Sequence, residues 1–512
     1  MPVLVHQFLE ESAFRSPNKV ALVCDGKRWT YAQLDALSNQ VAQALLLQGI
    51  QRGDRVAVYL QNSVEAVISI FGTLKAGGTF VYINHTTKQD KLRYVLQNCS
   101  ARILIAERRS PAISELLTAP LESLFATVLC GSGLTPGDSL QAVTIHWDSW
   151  FSGQPTTRPP TKVIDLDLAC LVYTSGSTGD PKGVMSDHQN IIFASGSIIH
   201  FLQNVELDVV LNLLPLSFDY GLYQLLMTFR FGGTLILEKS FAFPAAILKT
   251  IERERVTGFP GVPTIFAMLA PMDMSAFDLS SLRYLTNTAA ALPVNHIQEI
   301  RNKFPQARLY SMYGLTETKR TLYLPPEKLD EKPGSVGIAI PGTEVWLVDE
   351  QNQRLPNGST GELVVRGRHV MRGYWEAPEA TNRRYRPGVI PGERYCYTGD
   401  VFRTDEEGYF YFVSRQDDII KSRGEKVSPK EVEAVLHTLE GVVQAAVVGV
   451  PDPVLGQAIK AILVVQGKTL TVQEVLAHCK AHLEDFMVPK QVEFRESLPL
   501  TSTGKVSRKA LS

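Results

Sequence analysis

Tyr173-Thr-Ser-Gly-Ser-Thr-Gly-Asp-Pro-Lys-Gly183 follows an uncharged apolar run at 168–173. An apolar run of that length bounded by turn residues reads as a buried strand. What leaves the strand is a loop with three glycines, four hydroxyls and one lysine. Glycine lets a backbone turn tightly and approach a bulky anion. Thr174, Ser175, Ser177 and Thr178 supply hydroxyl donors, and Lys182 supplies a positive charge, an inventory suited to a polyphosphate. The alternative reading is a flexible surface loop rich in glycine and serine. The loop departs from the G-x-x-x-x-G-K-[ST] pattern, because Pro181 precedes Lys182 where glycine belongs and Gly183 follows it where a magnesium-binding hydroxyl belongs. A nucleotide is expected on a loop of another type.

Working outward, strand and helix signals alternate, which favours an α/β architecture. Thr30 and Gln33 have capping-box spacing ahead of Leu34, Leu37, Val41 and Leu45, and Gly49 suits the stop. A second helix is predicted over 63–75, ended by Gly77 and Gly78. Apolar runs at 209–214 and 284–286 predict further buried strands, and in open α/β sheets ligands sit in the loops that follow such strands. The pattern over 363–412 is strand-like and rich in glycine and aromatics. After Arg415 comes a compact unit. Ser428, Pro429 and Glu431 mark a helix start, 442–450 and 458–465 read as strands, and Thr471 with Glu474 caps another helix.

With 512 residues the chain exceeds one ordinary core, and 45% hydrophobic with 20% charged residues is a globular composition. The net charge of -1 gives no field of either sign, so neither a general nucleic-acid binder nor a polybasic membrane anchor is expected. The six cysteines are scattered without a Cys-x-x-Cys pair, which fits a reducing cytoplasm. Residues 1–11 lack the pattern of a signal peptide, and no apolar run reaches the length of a membrane span.

Four further motifs follow in order: Tyr313-Gly-Leu-Thr-Glu317, Tyr397-Thr-Gly-Asp400, Arg415-Gln-Asp-Asp-Ile-Ile-Lys-Ser-Arg-Gly424 and Thr503-Gly-Lys505. Together with the loop they resemble, across the whole chain, the adenylate-forming superfamily of acyl-CoA synthetases, nonribosomal peptide synthetase adenylation domains and firefly luciferase. The resemblance implies a large N-terminal domain of parallel-sheet-rich αβ layers plus a β-rich subdomain (1–414), a hinge (415–420) and a small mobile C-terminal α+β domain (421–512). It also implies ATP and Mg²⁺, and attack of a carboxylate on the α-phosphorus of ATP. Two anions must meet in that reaction, so catalysis is mainly charge neutralisation and positioning.

By the same resemblance Thr174, Ser175, Gly176, Ser177, Thr178, Gly179 and Lys182 would hold the phosphates. Thr316 would contact the α-phosphate and Glu317 would bind Mg²⁺. Asp400, acceptor-only and bidentate, would take the ribose hydroxyls beside Arg415. Tyr313 would lie near the adenine, with Thr288, Ala289 and Gly314 completing the nucleotide surface. Lys505 would bridge the carboxylate and the α-phosphate as a mobile point charge. Asp417 matches the hinge, and Gly424 would line a thiol tunnel in the second orientation.

The acid pocket would begin at Leu214-Pro-Leu-Ser-Phe-Asp-Tyr-Gly221. Phe218 stands where many acyl-CoA synthetases carry histidine, and Asp219 stands where amino-acid-activating members bind an ammonium group. Both favour a small amino acid such as proline. The alternative reading has Asp219 capping a helix. Tyr220, Tyr223, Pro260, Thr286, Thr288 and Met312 would form further wall. Lys319 and Arg320 replace the usual hydroxyl or aliphatic residues, and an Arg320 that faced the pocket would admit a second acidic group. No carrier-protein, condensation or thioesterase segment is present. The acceptor is therefore expected to be the phosphopantetheine arm of a separate carrier protein, or free coenzyme A in an acyl-CoA synthetase.

Overall fold

The computed structural model describes residues 2–118, 121–131, 143–174, 181–239, 241, 243–269, 271–288, 294–422, 425–452, 456–483, 487–501 and 506–511. Among these, the strands assemble into four sheets. A nine-stranded sheet runs from Ile338–Ala339 through Lys319–Leu324, Arg308–Leu315, Tyr284–Asn287, Gly258–Gly261, Val209–Asn212, Thr234–Leu237 and Val20–Cys24 to Lys27–Thr30. An eight-stranded sheet runs from Gly373–Tyr374 through Lys182–Asp187, Leu168–Thr174, Thr79–Tyr82, Arg55–Tyr59, Ile103–Glu107 and Ala126–Cys130 to Thr144–His146. The inner pairings of both are parallel.

Side-chain alternation explains why parallel strands suit these runs. In Arg55–Tyr59, Val56 and Val58 join the largest core while Ala57 and Tyr59 join a second core. Ile103 and Ile105 separate from Leu104 and Ala106 in the same way. Each strand thus buries both faces, the condition under which a parallel sheet is stable. The largest core takes residues from both sheets and from the helices between them. Helix Asp219–Phe231 belongs to this layer: all residues from Asp219 to Phe229 are buried, and Phe229 stacks on Phe71 at 5.4 Å.

The expected starts and stops are present. Thr30 and Gln33 form a reciprocal capping box at the head of Tyr31–Leu47, and Gly49 takes a φ of +83° beyond its end. Ser63 caps Val64–Lys75, with Gly77 at φ +81° after it. The strand-like segment builds a five-stranded sheet of its own from Glu344–Val348, Thr360–Arg366, Arg394–Thr404, Tyr385–Pro387 and Phe410–Arg415, around a separate core. The next strand, Ile420–Ser422, joins the fourth sheet with Gly456–Val465 and Val442–Asp452. Helix Pro429–His437 begins where expected, but Ser428 does not cap it. Its hydroxyl donates instead to the Val413 carbonyl at 2.6 Å, across to the preceding sheet. Thr471 and Glu474 form the capping box of Val472–His482. All six cysteines are unpaired and buried, and burial pushes the thiols of Cys24 and Cys99 up to about 12 and those of Cys170 and Cys479 up to about 11.

Two glycines place the site. A Cβ on Gly221 would lie 2.4 Å from the Pro215 carbonyl oxygen, so the loop folds back onto the first turn of its helix. Asn62 holds the same loop, donating to the carbonyls of Leu214 and Glu238 and accepting from the Leu216 amide. A Cβ on Gly314 would lie 1.9 Å from the Lys319 carbonyl oxygen, across the hairpin that joins Arg308–Leu315 to Lys319–Leu324. Backbone atoms cannot swing aside as a flexible side chain does. Gly314→Ala is therefore expected to cost at least about 3 kcal/mol, the upper range for an overpacked site. Chemical denaturation measures it, and a loss under about 0.5 kcal/mol, the scale of an ordinary surface substitution, would show that the hairpin yields.

Candidate active site

The hairpin tip carries the Tyr313–Glu317 motif. Its strands shift register between Tyr313 and Gly314, and Lys319 takes a φ of +56°. In a regular strand consecutive side chains point to opposite faces. The left-handed residue breaks that alternation, and both Lys319 and Arg320 reach one carboxylate, that of Asp219.

Among the residues expected to meet the nucleotide, Lys182 opens the strand Lys182–Asp187, which pairs antiparallel with Gly373–Tyr374. That pairing sets the Lys182 ammonium 5.7 Å from the centroid of the Tyr374 ring. The Tyr374 hydroxyl donates to Glu317 Oε1 at 2.7 Å, and the Glu317 carbonyl accepts from the Met371 amide at 3.0 Å. Burial, then the Glu317 carboxylate, push the Tyr374 hydroxyl well above its ordinary pKa. Burial works against the charge of Arg384, yet Glu317 first, with Cys396, Tyr374 and Asp400 behind it, raises the guanidinium above its usual value. Gly399, at φ +65°, leaves room beside the Arg384 guanidinium.

Asp400 ends this line of charge. Its Oδ2 accepts from the Tyr313 hydroxyl at 2.6 Å, and its Oδ1 lies 3.3 Å from Arg415 Nε. Burial raises its pKa, with Arg415 and the Tyr313 hydroxyl pulling the other way. Each carboxylate oxygen keeps a second lone-pair direction, so two diol hydrogen bonds remain open to it. Tyr313 is half-buried, with Phe402 edge-on at 4.8 Å. The loop lysine, the hairpin carboxylate and the Asp400–Arg415 pair thus come from three sheets and meet through Tyr374 and Arg384. Sequence reasoning missed these two connecting residues, because neither lies in a recognisable motif and Arg384 stands in an arginine-rich surface helix.

Among the residues expected to line the acid pocket, Pro260 pairs in register with Thr286 on neighbouring parallel strands, and Thr288 follows the end of Tyr284–Asn287. Met312 is buried on the next strand. Tyr220 donates to the Thr286 carbonyl at 2.9 Å, and Phe218 meets the Tyr220 ring edge-on at 6.4 Å. Burial pushes the Tyr220 hydroxyl up to about 12. Asp219 is the first residue of its helix and makes no capping hydrogen bond, which removes the cap reading. Asp219 Oδ1 lies 2.7 Å from Lys319 Nζ and Oδ2 lies 3.7 Å from Arg320, so the carboxylate expected to meet an ammonium group already faces two cations of the chain itself.

Thr174 and Thr316 are half-buried with no side-chain hydrogen bond among the described residues. Ser175, Gly176, Ser177, Thr178, Gly179, Ala289, Gly424 and Lys505 lie outside the described residues. Asp417 falls in the short turn Gln416–Asp418 between the third and fourth sheets.

Comparison with known proteins fits this geometry. Residues 9–375 match the AMP-binding enzyme family, and 431–505 match the AMP-binding enzyme C-terminal domain. A long-chain-fatty-acid–CoA ligase of Bacillus subtilis (strain 168) is 33% identical over 99% of this chain and 94% of its own. Tyrocidine synthase 1 of Brevibacillus parabrevis is 30% identical over 99% of this chain, which spans 44% of that protein. The crystal structure of the anthranilate CoA ligase AuaEII in complex with anthranoyl-AMP superposes with a TM-score of 0.90 at 29% identity, covering 100% of this chain and 97% of that one. The chain therefore belongs to the AMP-binding enzyme family and is an AMP-forming acid–thiol ligase.

Proposed function

We propose that the enzyme joins a carboxylic acid to AMP, releasing pyrophosphate from ATP, and then passes the acyl group to the thiol of free coenzyme A. The observation that carries the reading is the run of charge from Lys182 through Glu317 and Arg384 to Asp400 and Arg415, with a cation at the phosphate end and a diol acceptor at the other. Lys182 and the loop before it hold the phosphates, Thr316 meets the α-phosphate, and Asp400 with Arg415 takes the ribose. Tyr313, Gly314, Thr288 and Ala289 surround the base.

Glu317 fits a magnesium ion, a hard cation that takes oxygen ligands. One of its oxygens accepts from Tyr374, and the other would hold the metal. Bound there, the ion would offset phosphate charge. Lys505, in its Thr-Gly-Lys setting, follows the negative charge that develops as the acid oxygen attacks and pyrophosphate leaves. Asp417 is the pivot that lets the small domain withdraw this lysine and admit the thiol, and closure keeps water from the mixed anhydride.

Coenzyme A is preferred over a carrier protein because the fatty-acid and anthranilate relatives are CoA ligases matched along nearly their whole length. The paired Asp219 also removes the main support for an amino acid. The similarity to tyrocidine synthase 1 favours a second reading, in which the acceptor is a carrier-bound phosphopantetheine.

Mass spectrometry of the thioester formed with coenzyme A, and with a phosphopantetheinylated carrier protein, decides between them. Coenzyme A is expected to be acylated faster, and exclusive carrier loading reverses the assignment. Lys505→Ala is expected to lower acid-dependent ATP–pyrophosphate exchange by about 10²-fold or more, the scale of a lost transition-state donor; exchange at the wild-type rate removes the lysine from the chemistry. Asp417→Pro should slow thioester formation more than exchange, whereas equal losses in both half-reactions would argue against a pivot.

A further inference from the structure

The group around Asp219 does not balance. Two cations, Lys319 and Arg320, face one carboxylate, and all three side chains are almost completely buried, at 1%, 4% and 6% exposure. Two elements converge on it: the strand Lys319–Leu324 and the start of helix Asp219–Phe231, which brings Asp219 and, one turn on, Tyr223. Arg320 lies 4.3 Å over the Tyr220 ring and Lys319 lies 5.7 Å from the Tyr223 ring centroid.

Several polar atoms here have no hydrogen-bond partner among the described residues: Lys319 Nζ, Arg320 Nε, the Tyr223 hydroxyl and Asp219 Oδ1. The Lys319–Asp219 contact is close but is not aligned as a hydrogen bond. Natural interiors rarely leave buried donors unmet, and a cluster of them calls for a ligand or water that meets them. Excess positive charge in a dry site calls for an anion in particular. Burial lowers the pKa of Arg320 with Asp219 only partly opposing it, consistent with unmet demand for negative charge.

Resting on the adenylation reading above, we infer that the acid activated by this enzyme carries a second anionic group, which binds Arg320 and Lys319 while the first carboxylate meets the α-phosphate. A guanidinium presents a fork of donors that matches a carboxylate. The same excess charge repels an α-ammonium and leaves a plain fatty acid nothing to offer the donors. Arg320 lies four residues beyond Thr316, so their Cα atoms are at most about 14 Å apart. That suits a short diacid, of about three to six carbons at 1.5 Å or less per bond along the chain.

The test is ATP–pyrophosphate exchange with matched compounds: diacids of three to six carbons, their monomethyl esters, monoacids of equal length, and amino acids. The diacid is expected to exceed its ester by about 10²-fold in kcat/KM, the loss typical when buried charged donors go unpaired. Arg320→Met should lower that ratio by about tenfold or more, with Lys319→Met as a second variant should the first fail to fold. Diacid and ester used equally by the wild type, or exchange with monoacids or amino acids alone, overturns the inference and leaves adenylation standing. Exchange with long-chain or aryl monoacids but with no diacid also overturns the inference alone; exchange with none of these acids, long-chain and aryl ones included, overturns the adenylation reading and this inference with it.

Discussion

The approach of the Gly314 backbone to the Lys319 carbonyl is the constraint from which the rest of the site follows. Only a residue without a side chain lets the hairpin close that tightly. Once closed, the tip projects Glu317 toward Tyr374, while the left-handed Lys319 puts two consecutive cations on one face. One hairpin thus presents both groups: its tip carries the Glu317 carboxylate, and its returning strand carries the two cations. The carboxylate and the pair of cations thereby share one hairpin backbone.

Much of this is legible in the chain itself, for physical reasons that differ by element. Helix limits at Thr30 and Gly49 are readable because capping boxes and left-handed glycines act locally. Strands such as Leu168–Thr174 are readable because burial on both faces demands unbroken apolar runs. The fate of Ser428 is not, since its oxygen could accept from a helix amide, whereas tertiary packing supplies a distant carbonyl to which its hydroxyl donates instead. Arg384 and Tyr374 are invisible because their role depends on neighbours far away in sequence.

Asp219 shows the limit most clearly. An aspartate in that position reads as a docking point for an ammonium group so long as it is considered by itself. Its meaning changes when residues a hundred positions later supply two positive charges at 2.7 and 3.7 Å. Lys319 and Arg320 stand out as departures from pattern, but no rule of spacing says that both bend toward the same carboxylate. The sign of a buried site is a sum over everything that faces it, and that sum becomes available only in three dimensions.

The cysteines have a chemical consequence of their own. An acyl-adenylate is a mixed anhydride that reacts readily with thiolates, and this enzyme's business is to deliver it to a thiol from outside. Its own six thiols are all sunk in the interior, and burial holds them protonated, with Cys24 and Cys99 displaced to about 12. Protonated, inaccessible sulfur is a poor nucleophile. Buried and protonated, the enzyme's own sulfurs are poorly suited to compete with a visiting thiol for an activated acyl group.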